Sequence, residues 1–280
     1  MKFSSPAVLT AVFLASGAVA FSPSVGHTTT ATVRQSALFS TTEKAAPATT
    51  EEEERKRTKK DERLRMMKSD QFYRKGFKEV RTDVEDVMES QFKSELVDDL
   101  KASNYVVERE GVTVHLAKDF GFCWGVERSI ALAYEAVKHF PDKTVHITNE
   151  LIHNPEVNDN LHEMKVQFIE KDATSADPNK KDFSTVNDGD VVILPAFGAS
   201  YEEMDLFDKK NVDVVDTTCP WVSKVWNTVD KHQKAGSTSI IHGKYAHEET
   251  IATISFCEDY IVIKDLNEAQ MVADYITKGG

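Results

Sequence analysis

Short apolar runs recur along the second half of the chain and alternate with segments of helical periodicity. The runs are rich in Val and Ile, as expected for strands that are covered on both faces of a parallel sheet. Strands are predicted at 112–117, 144–148, 166–170, 190–196, 212–216, 237–242 and 260–264. Between most of these runs, apolar residues recur three or four positions apart, which predicts helices near 125–139, 155–164, 201–210, 220–235, 247–256 and 265–276.

Strands that alternate with helices are typical of an α/β fold with a mostly parallel sheet. Residues 171–189 interrupt the alternation and are polar, so we predict a long loop there. A helical face precedes the first run, within residues 83–102. It is formed by Val84, Val87, Met88, Phe92, Leu96 and Leu100. We interpret residues 81–111 as an N-terminal helical extension that packs on the main domain.

The N-terminal region has the pattern of a targeting sequence. Residues 1–20 start with a positive charge and continue with an apolar run that ends in a small-x-small site, as in a signal peptide. A core helix or an anchor is the alternative, although the run is short for a membrane span. Residues 21–50 are rich in Ser and Thr and contain one acidic residue, which is transit-peptide character, and 51–80 form a charged linker. This order resembles the bipartite presequence of secondary plastids and predicts the chloroplast stroma.

Charge and cysteine content narrow the classes of function. The 280 residues include 34 basic and 46 acidic side chains, and the net charge of −12 argues against broad binding to nucleic acid or anionic lipid. We therefore expect no nucleic-acid partner and no stable membrane anchor. Three cysteines without close spacing do not form a disulfide framework, and they fit a reducing compartment.

Two of the cysteines occupy equivalent positions. Cys123 and Cys219 each follow an apolar run and precede a helical segment, so each lies where a helix N-terminus favours a thiolate. A coarse repeat of two α/β modules, 112–211 and 212–280, would place both at the ligand-binding edge of a sheet. The alternatives are a buried small hydrophobe, a metal ligand, a nucleophile or a redox thiol. Cys257 has no helix-start signal, and we interpret it as structural.

Two loops carry histidines at predicted helix starts. His153 lies in "NELIHNPEVN" and His247 in "HGKYAHEETIA", where Glu248 and Glu249 follow it. Backbone N–H groups, the helix dipole and an imidazolium all favour an anion such as phosphate. The alternatives are surface histidines and glutamates that merely match the dipole of a first helical turn.

Five stretches in this order closely resemble the hydroxymethylbutenyl diphosphate reductase (IspH/LytB) family, in its plant and cyanobacterial branch. They are GFCWGVERSI, NELIHNPEVN, VVILPAFGAS, VDTTCPWVSKVW and HGKYAHEETIA. The resemblance implies three α/β modules around one [4Fe–4S] cluster, with Cys123 and Cys219 as ligands from the first two. It also implies His153 and His247 as diphosphate-binding residues and Glu249 as the catalytic proton relay.

The implied activity is an oxidoreductase that converts 4-hydroxy-3-methylbut-2-enyl diphosphate to isopentenyl and dimethylallyl diphosphate, with a ferredoxin-type protein as electron donor. Three thiolates leave one iron open to the substrate hydroxyl. The alternatives are a truncated non-catalytic diphosphate-binding form, or a thiol-dependent phosphate-ester enzyme with Cys219 as nucleophile.

The sequence departs from the family pattern in two places. Bacterial members of the family have a histidine where this chain has Phe197, whereas the plant-like branch looks similar to this chain, so we do not interpret the departure as inactivation. One phosphate or relay contact must still come from elsewhere. The family also continues for a further module beyond the position of Gly280, and that module supplies a third cysteine that Cys257 does not match. On this basis we expect two of three modules, weak cluster retention and an exposed inter-module surface.

Overall fold

The computed structural model describes residues 59–278 and one short strand near the N-terminus. In chain order, the strands are β1 (Thr10–Phe13), β2 (Phe72–Tyr73), β3 (Val106–Arg109), β4 (Val112–His115), β5 (Val145–Ile147), β6 (Gln167–Phe168), β7 (Val191–Leu194), β8 (Asp213–Asp216), β9 (Ser239–His242) and β10 (Tyr260–Ile263). The helices are α1 (Lys59–Met66), α2 (Arg81–Gln91), α3 (Glu95–Ala102), α4 (Trp124–His139), α5 (Pro155–Glu163), α6 (Tyr201–Lys209), α7 (Pro220–Lys234), α8 (Glu248–Ser255) and α9 (Leu266–Lys278).

Apart from β1, the predicted signal and transit peptides lie outside the described residues. Among the helices of the described residues, none is both long and apolar enough to cross a membrane.

The main sheet has five parallel strands in the order β2-β8-β7-β5-β6. A second sheet, also parallel, has the order β1-β9-β10. The α/β class with mostly parallel sheet is therefore confirmed. The boundary predicted at residue 212 does not coincide with the division between the sheets. β8 pairs with β7 inside the first sheet, where its residues are buried on both faces. The strands of the second sheet, apart from β1, follow α7.

The first predicted strand, 112–117, does not enter either parallel sheet. β4 instead pairs with β3 in an antiparallel hairpin whose turn contains Glu110 and Gly111, both with positive φ. All residues of β4 are exposed, so its Val-rich pattern does not reflect burial in a core. The chain reaches Cys123 from this exposed hairpin, whereas it reaches Cys219 from the buried strand β8.

Two apolar clusters cover the two faces of the main sheet. Because neighbouring side chains of a strand point to opposite faces, alternate residues of β7 and β8 divide between the clusters. One cluster contains Val192, Leu194 and Val214 with side chains of α6, α7 and α8. The other contains Val191, Ile193 and Val215 with side chains of α2, α4 and α5. The carboxyl ends of β7 and β8 therefore open between α4 and α7, where both cysteines lie.

The segment before the first module is part of the fold. Residues 59–80, which belong to the predicted charged linker, form α1 and the edge strand β2 beside β8. The helix predicted over 83–102 is divided into α2 and α3. The division occurs at Ser94, whose hydroxyl accepts a hydrogen bond from the Val97 N–H and begins a new helix.

Candidate functional site

Cys123 and Cys219 are the N-cap residues of α4 and α7. Cys123 has an extended backbone and Cys219 a non-helical one with ψ of 131°, and neither thiol makes a capping hydrogen bond. Pro220 occupies the first position of α7, where its fixed φ is compatible with a helix and its missing N–H is not needed. Both thiols therefore lie at positive helix ends with their sulfur atoms available to a ligand.

Gly125 brings the two thiols together. A methyl group on its Cα would lie 2.5 Å from the Cys219 Sγ and 4.0 Å from the Cys123 Sγ. The two sulfur atoms are therefore at most 6.5 Å apart, which is the sum of these distances. Sequence reasoning paired the two cysteines but did not assign a role to Gly125, although it stands two residues after Cys123 in the motif.

The surroundings of the two thiols suit thiolate ligands of a metal or cluster. Cys123 is exposed and Cys219 is partly buried. Burial lowers the pKa of the Arg128 guanidinium. Arg128 also lies close enough to Cys219 for a thiolate there to oppose this shift. A nearby cation and two helix N-termini stabilise anionic sulfur, the form that binds iron. The donor set, two soft sulfur ligands in an accessible position, fits an iron–sulfur cluster.

Cys257 has the opposite character. Its side chain is buried, its thiol lies 3.5 Å from the Thr253 carbonyl oxygen, and burial raises its pKa to about 11. It packs in the apolar cluster on one face of the main sheet. These contacts agree with its interpretation as a structural residue.

His153 and His247 form a directly hydrogen-bonded pair. Their Nε2 atoms are 3.0 Å apart, and the Nδ1 of His153 lies 2.9 Å from the Glu150 carboxylate. The Nδ1 of His247 accepts a hydrogen bond from the backbone N–H of Glu249 at the start of α8. Burial lowers the pKa of His247 and favours its neutral form. Its Nε2 must then carry the proton and donate to His153.

This proton arrangement decides between a cation and an anion at the pair. His153, His247 and Glu248 offer ligand atoms within 4.8 Å of one another, as a metal site would require. However, the only lone pair on the neutral His247 ring is engaged by the Glu249 N–H, so its Nε2 is a donor. Glu248 in turn accepts a hydrogen bond from the Asn149 side chain. Donors at a helix N-terminus suit a phosphate oxygen better than a metal ion.

Phe197 packs against both histidines. Its ring lies 4.5 Å from that of His153 in a stacked arrangement and 5.3 Å from that of His247. The preceding residue, Ala196, accepts a hydrogen bond from the Cys219 N–H through its carbonyl oxygen. One loop thus connects the histidine pair to a cysteine, and Phe197 packs on both rings. Sequence reasoning identified the departure but not this contact.

Glu249 lies in the first turn of α8, directly after the histidine pair. Its side chain is partly buried, and burial raises the pKa of its carboxyl group above the ordinary value of 4.5. A carboxylic acid that keeps its proton to higher pH is better suited to act as a proton donor.

Replacement of Glu249 by glutamine is expected to stabilise the chain at neutral pH. The pKa is higher in the folded than in the unfolded state, so the stability contributed by the protonated group is lost as pH rises through the folded-state pKa. Below pH 4.5 the group is neutral in both states and the advantage of Glu249→Gln disappears. Urea unfolding at neutral pH and below pH 4.5 measures the difference in unfolding free energy between Glu249→Gln and wild type. Glu202→Gln, in the exposed first turn of α6, should give no such gain. An equal gain from both changes would contradict the burial effect.

Comparisons with known proteins cover this region. The family model described as LytB protein matches residues 114–278. A Synechococcus sp. protein named 4-hydroxy-3-methylbut-2-enyl diphosphate reductase is 55% identical over 213 residues, which are 76% of this chain and 52% of that protein. A Nostoc sp. protein of the same name is 54% identical over 215 residues, 77% of this chain and 52% of that protein. The chain spans about half the length of these curated relatives.

One solved structure, of the E-1-hydroxy-2-methyl-but-2-enyl-4-diphosphate reductase from Plasmodium falciparum, is also similar. It has a TM-score of 0.49 and 28% identity, and the match covers 55% of this chain and 45% of that one.

Proposed function

Because the chain belongs to the LytB protein family, we propose that it acts in the reduction of 4-hydroxy-3-methylbut-2-enyl diphosphate. The products would be isopentenyl and dimethylallyl diphosphate, with the substrate hydroxyl leaving as water after uptake of two electrons and two protons. The observation that carries the proposal is the junction at Ala196 and Phe197. The Cys219 N–H donates to the Ala196 carbonyl oxygen, and the next residue, Phe197, packs on both histidines, which supports a single site that contains the thiols and the histidine pair.

Cys123 and Cys219 would hold the [4Fe–4S] cluster as thiolates. When bound, such a cluster supplies single electrons and an iron that can bind the substrate hydroxyl as a Lewis acid. The two N-cap positions and Arg128 keep the sulfur ligands in an electropositive environment, and Gly125 leaves the space that the Cys219 thiol occupies.

The histidine pair would bind the diphosphate. The Nε2–H of His247 can turn from His153 to a phosphate oxygen, where a hydrogen bond to a charged acceptor is strong. Glu150 holds the other nitrogen of His153 and fixes the orientation of that ring. Phe197 packs on both rings, stacked on His153 and edge-on to His247, and so restricts how the two rings can turn.

Glu249 would deliver a proton to the allylic carbon or to the departing hydroxyl. Burial raises the pKa of its carboxyl group and so favours the protonated acid, and Glu249 lies in the first turn of α8, two residues after the proposed diphosphate-binding His247. The backbone N–H of Glu249 fixes the His247 ring, so binding and proton delivery are linked through one residue.

We also propose that a ferredoxin-type protein supplies the electrons in the chloroplast stroma. Support comes from the order of signal-like and transit-like segments at 1–50 and from the similarity to cyanobacterial proteins. Import of a fluorescent fusion carrying residues 1–80 into a secondary plastid would test the location.

Anaerobic turnover with a chemical reductant tests the reductase activity. His247→Ala should raise KM for the diphosphate about tenfold to a hundredfold, the size expected for loss of a hydrogen bond to a charged group. His162→Ala is the matched control, since this ring stacks on Phe168 at the edge strand β6. Absence of turnover in iron-loaded wild-type protein, or equal kinetics for His247→Ala and wild type, would contradict the proposal.

A further inference from the structure

Two arginines from the N-terminal segment meet one buried carboxylate. Asp216, the last residue of β8, is fully buried. The Arg74 Nε lies 2.9 Å from its Oδ2, and the Arg63 Nη2 lies 3.6 Å from the same oxygen. Arg63 is itself buried and its guanidinium stacks over the Trp226 ring of α7 at 4.8 Å. These contacts hold α1 and the residues after β2 against the end of β8.

The other oxygen of Asp216 faces the cysteine loop. Its Oδ1 accepts a hydrogen bond of 3.0 Å from the backbone N–H of Thr218, the residue that precedes Cys219. The carboxylate therefore connects the N-terminal arginines on one side with the loop of a candidate ligand on the other. Both Thr217 and Thr218 are buried, so this loop has no solvent to replace a lost partner.

Helix α4 holds the same loop from the opposite side. Ser129 donates to the Thr217 carbonyl oxygen at 2.7 Å. Arg128 donates to the carbonyl oxygens of Thr217 and Thr218 and, through its other nitrogen, to the carbonyl oxygen of Arg74 at 2.7 Å. The N-terminal segment, β8 and the helix that begins at Cys123 thus form one connected polar network.

A buried carboxylate is destabilising unless it is paired, and removal of a partner leaves its charge uncompensated. Arg74 makes the shorter of the two ion pairs, so its side chain is the partner whose loss most disturbs the carboxylate. The hydrogen bond from Arg128 goes to the Arg74 backbone carbonyl oxygen and is kept when the side chain is replaced. The segment is shared by relatives. Arg74 precedes the LytB match at 114–278. The match to the Nostoc sp. protein covers 215 of the 280 residues and leaves at most 65 (280 − 215) before it, so it includes position 74.

We propose that Arg74, acting through Asp216, is a positioning residue for Cys219, so that the N-terminal segment sets the place of one cluster ligand. The effect of this positioning on catalysis rests on the proposed function, whereas the positioning of Cys219 itself requires no bound cluster.

Hydrogen exchange of the full chain, without iron, tests the positioning. The amide N–H groups of Thr217, Thr218 and Cys219 each donate one hydrogen bond, to Leu194, Asp216 and Ala196, and report on the loop directly. Arg74→Gln should accelerate their exchange about tenfold, as expected for loss of a charged partner. Amides of β7 should keep their wild-type rates, and Arg74→Lys should restore most of the protection.

Arg65→Gln is the matched control, because this exposed arginine pairs with Asp208 on the outside of the same N-terminal segment. It should leave the loop amides unchanged. Unchanged loop exchange in Arg74→Gln, equal acceleration in β7, or no recovery in Arg74→Lys would each overturn the proposal. A chain that shows the expected exchange pattern but never retains iron would overturn the proposed function and leave the positioning role intact.

Discussion

Cys219→Ser is expected to abolish retention of iron and sulfide after anaerobic reconstitution. Serine keeps the size of the side chain but replaces a soft thiolate with a hydroxyl that stays protonated and binds iron poorly. The Cys219 Sγ lies within 6.5 Å of the Cys123 Sγ, so loss of one ligand should disturb the whole centre. Cys123→Ser should have the same effect, because both thiols occupy equivalent N-cap positions.

Cys257→Ser is the control within the same chain. This thiol is buried in the apolar cluster and burial holds its pKa at about 11, so it should contribute nothing to iron binding. Iron and sulfide per chain, together with the visible charge-transfer absorbance, measure the outcome. Equal iron retention in Cys219→Ser and wild type would contradict the assignment of this cysteine as a ligand. Loss in Cys257→Ser with no loss of folding would show that a different thiol is used.

Gly125→Ala is expected to have the second largest effect on iron retention, although it adds only a single methyl group. In the first turn of a helix, alanine is ordinarily favoured over glycine by up to about 1 kcal/mol. Here the new Cβ would lie 2.5 Å from the Cys219 Sγ, closer than van der Waals contact allows. The sulfur or helix α4 must shift, and an iron centre held by both thiols requires a fixed separation.

Iron retention should therefore fall at least about tenfold in Gly125→Ala, while the unfolding free energy without iron changes by about 1 kcal/mol or less. Iron analysis and urea unfolding of the same preparation separate the two effects. Ala131→Gly, in the middle of α4, is the converse control: it should lower stability by about 1 kcal/mol and leave iron retention unchanged. Unaltered iron retention in Gly125→Ala would show that the thiols are not held at this close approach.

Much of the fold is evident in the sequence because burial and periodicity coincide. The Val-rich runs at β7 and β8 are buried on both faces, and such runs are what a parallel sheet requires. The run at β4 has the same composition but is exposed, since its hairpin partner covers only its backbone. Apolar composition alone could not distinguish these two environments.

The candidate site was predicted residue by residue only where the motif carries a reactive side chain. Cys123 and Cys219 lie together as expected, and so do His153 and His247. The contacts of Gly125, Phe197 and Asp216 depend on chain segments far apart in sequence. Arg63 and Arg74 were included in a charged linker because a local excess of charge resembles a solvated segment. Their partner is buried more than 140 residues later, and only the folded chain shows it.

The most direct test of the assignment is a Mössbauer spectrum of protein reconstituted with isotopically enriched iron, recorded with and without the diphosphate substrate. Cys123 and Cys219 would hold two of the four irons of such a cluster, so the spectral parameters of those two irons should stay constant when substrate is added, while the parameters of an iron that binds the substrate hydroxyl should change. The Cys123→Ser/Cys219→Ser double variant should give no cluster signal. A spectrum that is insensitive to substrate, or a cluster signal that persists in the double variant, would contradict the assignment of Cys123 and Cys219 as cluster ligands.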